Sequence, residues 1–297
     1  MKKKKNTQNK FDALVEKLTA EFLKIPNFDL MTKDEIGNKV FNIITYRMAE
    51  ITSYKDLVCQ HFIPETNKAI FNSKQDFLNS RYKALLNVKE LDFKETLHDT
   101  VRLAYVGLFH KFENYRNDVL EIPQLVFGNL YYSNQSIEVW AKEKFNFNIK
   151  DLHQFHLTHK INWICNCVKH RDGLPNKTPK PSGFQYLDES QRLIITPEEF
   201  KKDCEQLIEF YPFYLQLVLI FAQHKLCAER VLHDSDNFTE ETKQELEEKI
   251  RQLEAITVKF IADRDLEEKM NTLDLDIQAL TSHMMNRIKE KAPAAKE

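Results

Sequence analysis

Asn166 and His170 stand four residues apart, with Lys169 and Arg171 on either side of the histidine. On a helix, residues at that spacing share a face one turn apart. An imidazole there can take or give a proton near neutral pH, and an amide one turn back can hydrogen-bond the ring and select its tautomer. The two cations would hold an anion such as phosphate. Gly173 follows as a natural helix stop, so a phosphate could reach the group without crossing a core. The stripe continues backwards through Trp163, His159 and His156, at spacings of 3 and 4. An ordinary solvated face would carry Lys, Glu and Gln. Two structural readings stand beside this one. Lys169, His170 and Arg171 would also complement the negative end of a helix dipole, and Trp163 would also serve as core or interface.

A second polar stripe, Asp99, Arg102, Val106, His110, Glu113 and Asn117, lies on the preceding strong helix. Glu113 is the candidate partner for the His170 group, and Arg102 or Arg116 could bring a cation to it. His153, His156 and His159 suggest a metal cluster, but the outer pair lies about 120° apart around a helix, so no metal is expected. No cofactor is expected either. The chain contains no G-x-G-x-x-G, no G-x-x-x-x-G-K-[ST] and no G-x-S-x-G.

The elements that must position these residues are helical. Apolar residues recur every three or four positions in 11–24, 34–52, 92–120 and 150–170. Further helices are expected around 54–61, 74–87 and 136–144, with Pro64 as a break. Pro123 is expected to end the helix 92–120. Pro197 opens a helix running to about 232 with a kink at Pro212. The segment 174–183 holds three prolines and reads as an exposed loop. Residues 239–290 contain no Gly or Pro and carry a Leu, Ile and Met seam, which predicts a long helical arm, a coiled coil or a hairpin. The fold expected is all-α: an N-terminal helical region with a basic tail over 1–91, a helical bundle over 92–235 and a C-terminal helical arm over 236–297.

The stretch Asn166-Cys167-Val168-Lys169-His170-Arg171-Asp172-Gly173 resembles the signature of HEPN-type proteins, the higher eukaryote and prokaryote nucleotide-binding superfamily. Their mark is R-x4–6-H near a helix end, often R-N-x-x-x-H followed by a glycine turn. The helix from Leu97 to Leu120, with Phe109-His110-Lys111-Phe112-Glu113, resembles the first helix of their four-helix bundle. The resemblance covers residues 92–232. It implies a metal-independent ribonuclease, acting as a toxin or prokaryotic defence effector on RNA at a dimer interface. Asn166, His170 and Arg171 would then be catalytic, and Lys169, Trp163, Glu113 and Arg116 would hold the substrate. The chain departs from the signature in one respect. Cys165, Ile164 and Trp163 occupy the positions where the family arginine would stand. That departure favours the alternative, a non-catalytic HEPN-like module for oligomerisation, nucleotide sensing or partner binding. A third reading is a scaffold acting through the coiled-coil arm.

Composition sets the remaining bounds. Of 297 residues, 43 are Lys or Arg and 45 are Asp or Glu, for a net charge of −2, so no global electrostatic grip on nucleic acid is expected. Lys2 to Lys5 read as a solvated tail or as a basic arm that touches RNA, DNA or an acidic partner. No stretch approaches the roughly 18 apolar residues of a membrane span. The five cysteines, Cys59, Cys165, Cys167, Cys204 and Cys227, fit neither a zinc framework nor a disulfide scaffold, so reduced thiols in a cytoplasmic protein are expected. The arm and the His/Trp/Asn stripe both call for a partner surface. A homodimer or larger oligomer is therefore expected, and sedimentation showing a clean monomer at micromolar concentration would count against it.

Overall fold

A computed structural model describes residues 35–83, 93–127, 136–145, 148 and 152–225, with positions 239–241, 244, 247, 248 and 251. The expected helix at 11–24, the lysine tail, the loop 128–134, Cys227 and the seam of the C-terminal arm lie outside them. Helix accounts for 80% of the described residues, and no strand occurs among them. The architecture is an all-α helical bundle, as the periodicity predicts. No helix of the described residues is long and apolar enough to cross a membrane.

Two prolines expected to interrupt helices, Pro64 and Pro123, lie inside them. α1 (Glu35–Leu57) buries Val40, Ile44, Met48 and Ile51, one side chain per turn. It passes through a π-turn, Val58–Phe62, into α2 (Ile63–Asn79). Pro64 therefore sits in the first turn of α2, where its missing N–H costs nothing, and it is not a break. α3 (Phe93–Phe127) runs through Pro123, which is a correction to the expected stop; Ile122 and Pro123 are both buried. α4 is Ile137–Phe145 and starts on Ser136, whose hydroxyl accepts the Val139 N–H at 3.3 Å. A 3-10 turn, His153–Phe155, leads into α5 (His156–Arg171). α6 (Pro197–Lys225) contains Pro212, and the Thr196 hydroxyl caps its start on the Glu199 N–H at 3.1 Å.

These residues form two compact units, one within Met1–Thr45, Arg116–His153 and Pro212–Glu297, the other within Tyr46–Tyr115 and Gln154–Tyr211. Three of the breaks fall inside α1, α3 and α6. The second unit contains α5. There the Tyr105 ring meets Phe200 edge-on at 5.3 Å, and Tyr115 stacks on Tyr211 at 3.5 Å. Tyr54 donates its hydroxyl to the Ala104 carbonyl at 3.0 Å. A Cβ on Gly107 would stand 2.1 Å from that hydroxyl oxygen, so the contact requires glycine in mid-helix.

The first unit buries Ile137, Trp140, Leu217, Val218 and Phe221. His224 is 0% exposed there and packs against the rings of Trp140 and Phe145 at 5.4 and 5.1 Å. Among the described residues neither ring nitrogen has a hydrogen-bond partner. Burial, and then the Lys144 charge, push its pKa down to about 4 from 6.5. The unfolded chain therefore binds the proton first. Stability is fully present above pH 6.5 and declines as pH falls toward 4. We expect urea unfolding to show a loss of about 2 kcal/mol between pH 6.5 and pH 5 from this group, and His224→Leu to flatten that stretch of the curve. An unchanged pH profile in the variant would refute the assignment.

Candidate functional site

α5 is buried around much of its circumference. Thr158, Ile161, Trp163, Ile164, Cys165 and Cys167 are all interior. An open wedge holds His159, Asn162, Asn166, Lys169 and His170, spanning about 100° of the helix, and His156 and Arg171 are exposed outside it. The helix contains no Asp or Glu, so every ionisable head on the wedge is neutral or cationic.

Three devices lock α5 in place. Lys160 bridges Glu199 at 2.7 Å and Asp203 at 2.8 Å. Tyr105 of α3 donates its hydroxyl to the same Asp203 oxygen at 2.6 Å, and Asp203 is 3% exposed. Burial, and then the Asp203 charge, push the Tyr105 pKa well above its ordinary value, so the phenol stays a donor. The second device is the helix end. Asp172 has φ 53 and Gly173 φ 77, and the Gly173 N–H returns to the Cys167 carbonyl at 2.9 Å, a Schellman-type closure. A Cβ on Gly173 would stand 3.2 Å from Cδ of Arg102. Arg102, 1% exposed, donates to the Leu193 carbonyl at 2.9 Å, to Asp99 at 2.7 Å and to Glu95 at 2.6 and 2.7 Å. Arg192 joins Glu95, at 3.2 Å, to Asp172. The third device is Trp163, described next.

The sequence puts Trp163 on the open stripe with the histidines. The structure corrects this. Trp163 is 1% exposed, its ring lies 5.1 Å from Phe184, and its indole N–H donates to the Lys177 carbonyl at 2.7 Å. The proline-bearing loop folds back over it, burying Pro175 and Pro181, so it is not simply an exposed loop. An indole so covered holds the loop and offers no face to a nucleobase.

The other candidates are placed as follows. His170, Lys169 and Arg171 are exposed in the last turn of α5. Asn166 does not turn to His170; it donates to the Asn162 carbonyl at 2.7 Å and to the Asn162 side-chain oxygen at 2.6 Å. Glu113 is exposed on α3, and its charge reaches the Cys165 thiol, as does that of Lys169. The structure thus brings Glu113 close to the same part of α5. Burial raises the pKa of that thiol and of Cys167, which suits packing groups better than nucleophiles. Arg116 belongs to the other unit. Glu138 holds its guanidinium at 3.0 and 2.5 Å and accepts Tyr214 at 2.9 Å, so a carboxylate occupies it. Arg102, the other cation that α3 could supply, is occupied by its own carboxylates. Lys177 and Asn162 were not legible as site residues. The signal was a lysine among prolines one loop beyond a tryptophan. Among the described residues, no three His, Cys, Asp or Glu side chains are grouped to hold a metal.

No family model matches this chain, and no curated protein and no solved structure matches it either. The site must be read from its own geometry.

Arg102→Met should test the helix-end clamp. Removing one partner of a buried ion pair typically costs about 3–5 kcal/mol. Glu95 and Asp99 reach water here, at 29% and 50% exposure, so about 3 kcal/mol is expected. Thermal unfolding would measure it, and a change under 1 kcal/mol would rule the clamp out.

Proposed function

We propose that the chain is a HEPN-like helical module that binds single-stranded RNA through the open wedge of α5. The carrying observation is the acid-free wedge, which ends in exposed Lys169 and His170, with Arg171 exposed in the same last turn of α5. Three nearby cations are matched by carboxylates: Lys160 by Glu199 and Asp203, Lys180 by Glu189, Arg192 by Glu95 and Asp172. Lys169 and Arg171 have no such partner among the described residues. Phosphate would supply the missing charge. The amides of Asn162 and Asn166 and the imidazoles offer donors and acceptors to unpaired bases or ribose hydroxyls.

Cleavage is the second reading, favoured by the exposure of His170 directly beside Arg171. His170 would move a proton at the ribose 2′-hydroxyl or the leaving oxygen, and Arg171 would stabilise charge on the phosphorus centre. A toxin or defence role belongs to this reading. We also propose that the chain dimerises and that a partner protein binds the C-terminal arm.

A labelled RNA oligomer in EDTA tests both. Fluorescence anisotropy should show binding that weakens with salt, and the combined Lys169→Ala, Arg171→Ala variant should lose about ten-fold in affinity and lower the log–log salt slope by about 1.4, for two phosphate contacts on a single strand. Unaltered affinity would remove the binding reading. Cleavage that vanishes in His170→Ala, with the helical spectrum intact, would establish the catalytic one.

A further inference from the structure

Lys177 is fastened to α5 at both of its main-chain groups. Its carbonyl accepts the Trp163 indole N–H at 2.7 Å, and its N–H meets the Cys167 sulfur. Trp163 and Cys167 are one turn apart, so the loop lies along the helix at this point and presents the lysine at a fixed height. One turn before Trp163 stands His159, exposed on the wedge. The two are close enough for the Lys177 charge to act on the imidazole, and His156 acts on it as well. Burial, then His156, then Lys177 lower the His159 pKa. The other loop lysine, Lys180, is bridged to Glu189 at 3.0 Å, and Lys160 is bridged twice on α5. Lys177 has no carboxylate partner among the described residues. The main chain of Lys177 is fixed one turn from His159, and its ammonium, unlike those of Lys160 and Lys180, is not matched by a carboxylate, so an anion can supply the missing charge.

We infer that Lys177 and His159 form a phosphate subsite at the opposite end of the wedge from His170. This rests on the RNA-binding reading for the source of the phosphate, which is a terminal monoester or an internal diester of the strand. His159 and His170 are eleven residues apart, about 16 Å along the helix axis. The two ends therefore contact different phosphates of one strand, and the amides of Asn162 and Asn166 lie between them.

The fastening is through the main chain, so Lys177→Met removes the ammonium and leaves the loop in place. Circular dichroism checks that the fold persists. In the full chain, histidine resonances are followed across pH with and without millimolar inorganic phosphate, His159→Gln assigning the signal. Phosphate should raise the apparent pKa of His159, and Lys177→Met should abolish that rise. With RNA, Lys177→Met should weaken binding about three- to ten-fold and lower the log–log salt slope by about 0.7. A loss confined to 5′-phosphorylated oligomers assigns the terminal monoester; an equal loss with 5′-hydroxyl oligomers assigns an internal diester. If RNA does not bind but phosphate moves His159 in a Lys177-dependent way, the subsite stands and the RNA reading falls. If Lys177→Met changes neither the phosphate response nor RNA binding, the subsite is refuted, whatever the RNA result.

Discussion

The charge of Arg102 is carried to a position that is 1% exposed, and the end of α5 depends on how that charge is met. A guanidinium out of water is tolerated only when its N–H groups are satisfied and opposite charge stands close. Glu95 and Asp99, on the same helix, supply the charge, and the Leu193 carbonyl takes the Nε proton. The side chain then fills the space beside Gly173, which has no Cβ to exclude it and adopts the left-handed turn that ends α5. Leu193 in turn donates its N–H to the Gly173 carbonyl at 2.8 Å. One buried cation thereby ties α3, the helix-ending turn and the segment before α6 together. His170 projects from the last turn of a helix whose end is fixed by this clamp, and a site that must hold a group within a fraction of an ångström needs that kind of support.

The fold was legible from apolar spacing, and the site only in part. Val101, Tyr105, Leu108, Phe112, Tyr115 and Val119 form the stripe that the sequence displays, and five of the six are 0% exposed, with Phe112 at 5%. Helix ends were harder to see, because Pro64 read as a break and Pro123 as a stop and both lie within helices, while Pro212 lies inside its helix as expected. A proline costs about 3 kcal/mol in a helix interior, a sum that neighbouring burial can exceed, and local propensity carries no information about that burial. The position of Trp163 failed for a similar reason. Its angle on α5 sets it opposite Ile161, and the covering came from a loop fourteen residues later in the chain. Asn166 and His170 share a face as expected, yet the amide bonds backwards to Asn162, a choice that spacing leaves open in both directions.

Charge matters here through its distribution. A chain of net charge −2 exerts little long-range pull on an anion, and at physiological ionic strength fields fade over about 8 Å. What can hold a phosphate is a local excess of cations, and α5 has one because its sixteen residues include no acid. Acids of neighbouring elements pair with Lys160, Lys180, Arg192 and Arg102, while Glu113 stays exposed on α3. Lys169 and His170 lie on one narrow, convex face of α5, flanked by the loop over Trp163, and Arg171 is exposed in the same last turn beyond the edge of that face. Such a face can follow a flexible strand whose bases are splayed outward, whereas reading a duplex requires an element that enters a groove.

Binding and cleavage place different demands on this face. Attack by a ribose 2′-hydroxyl needs a base, and departure of the 5′-oxygen needs an acid. The end of the wedge carries one imidazole, that of His170. His159 is about 16 Å away along the helix, too far to serve the same phosphorus. The two arginines that α3 could supply, Arg102 and Arg116, are held by carboxylates, and Asn166 is committed to Asn162. Within one chain the second proton-transfer group would therefore have to be Glu113, exposed on α3 with its charge felt in the same part of α5. Otherwise a second copy must present another imidazole. Phosphate binding needs neither, since cations alone suffice. The geometry thus asks little of a binding module and a further group of a nuclease, and this difference places the binding reading first.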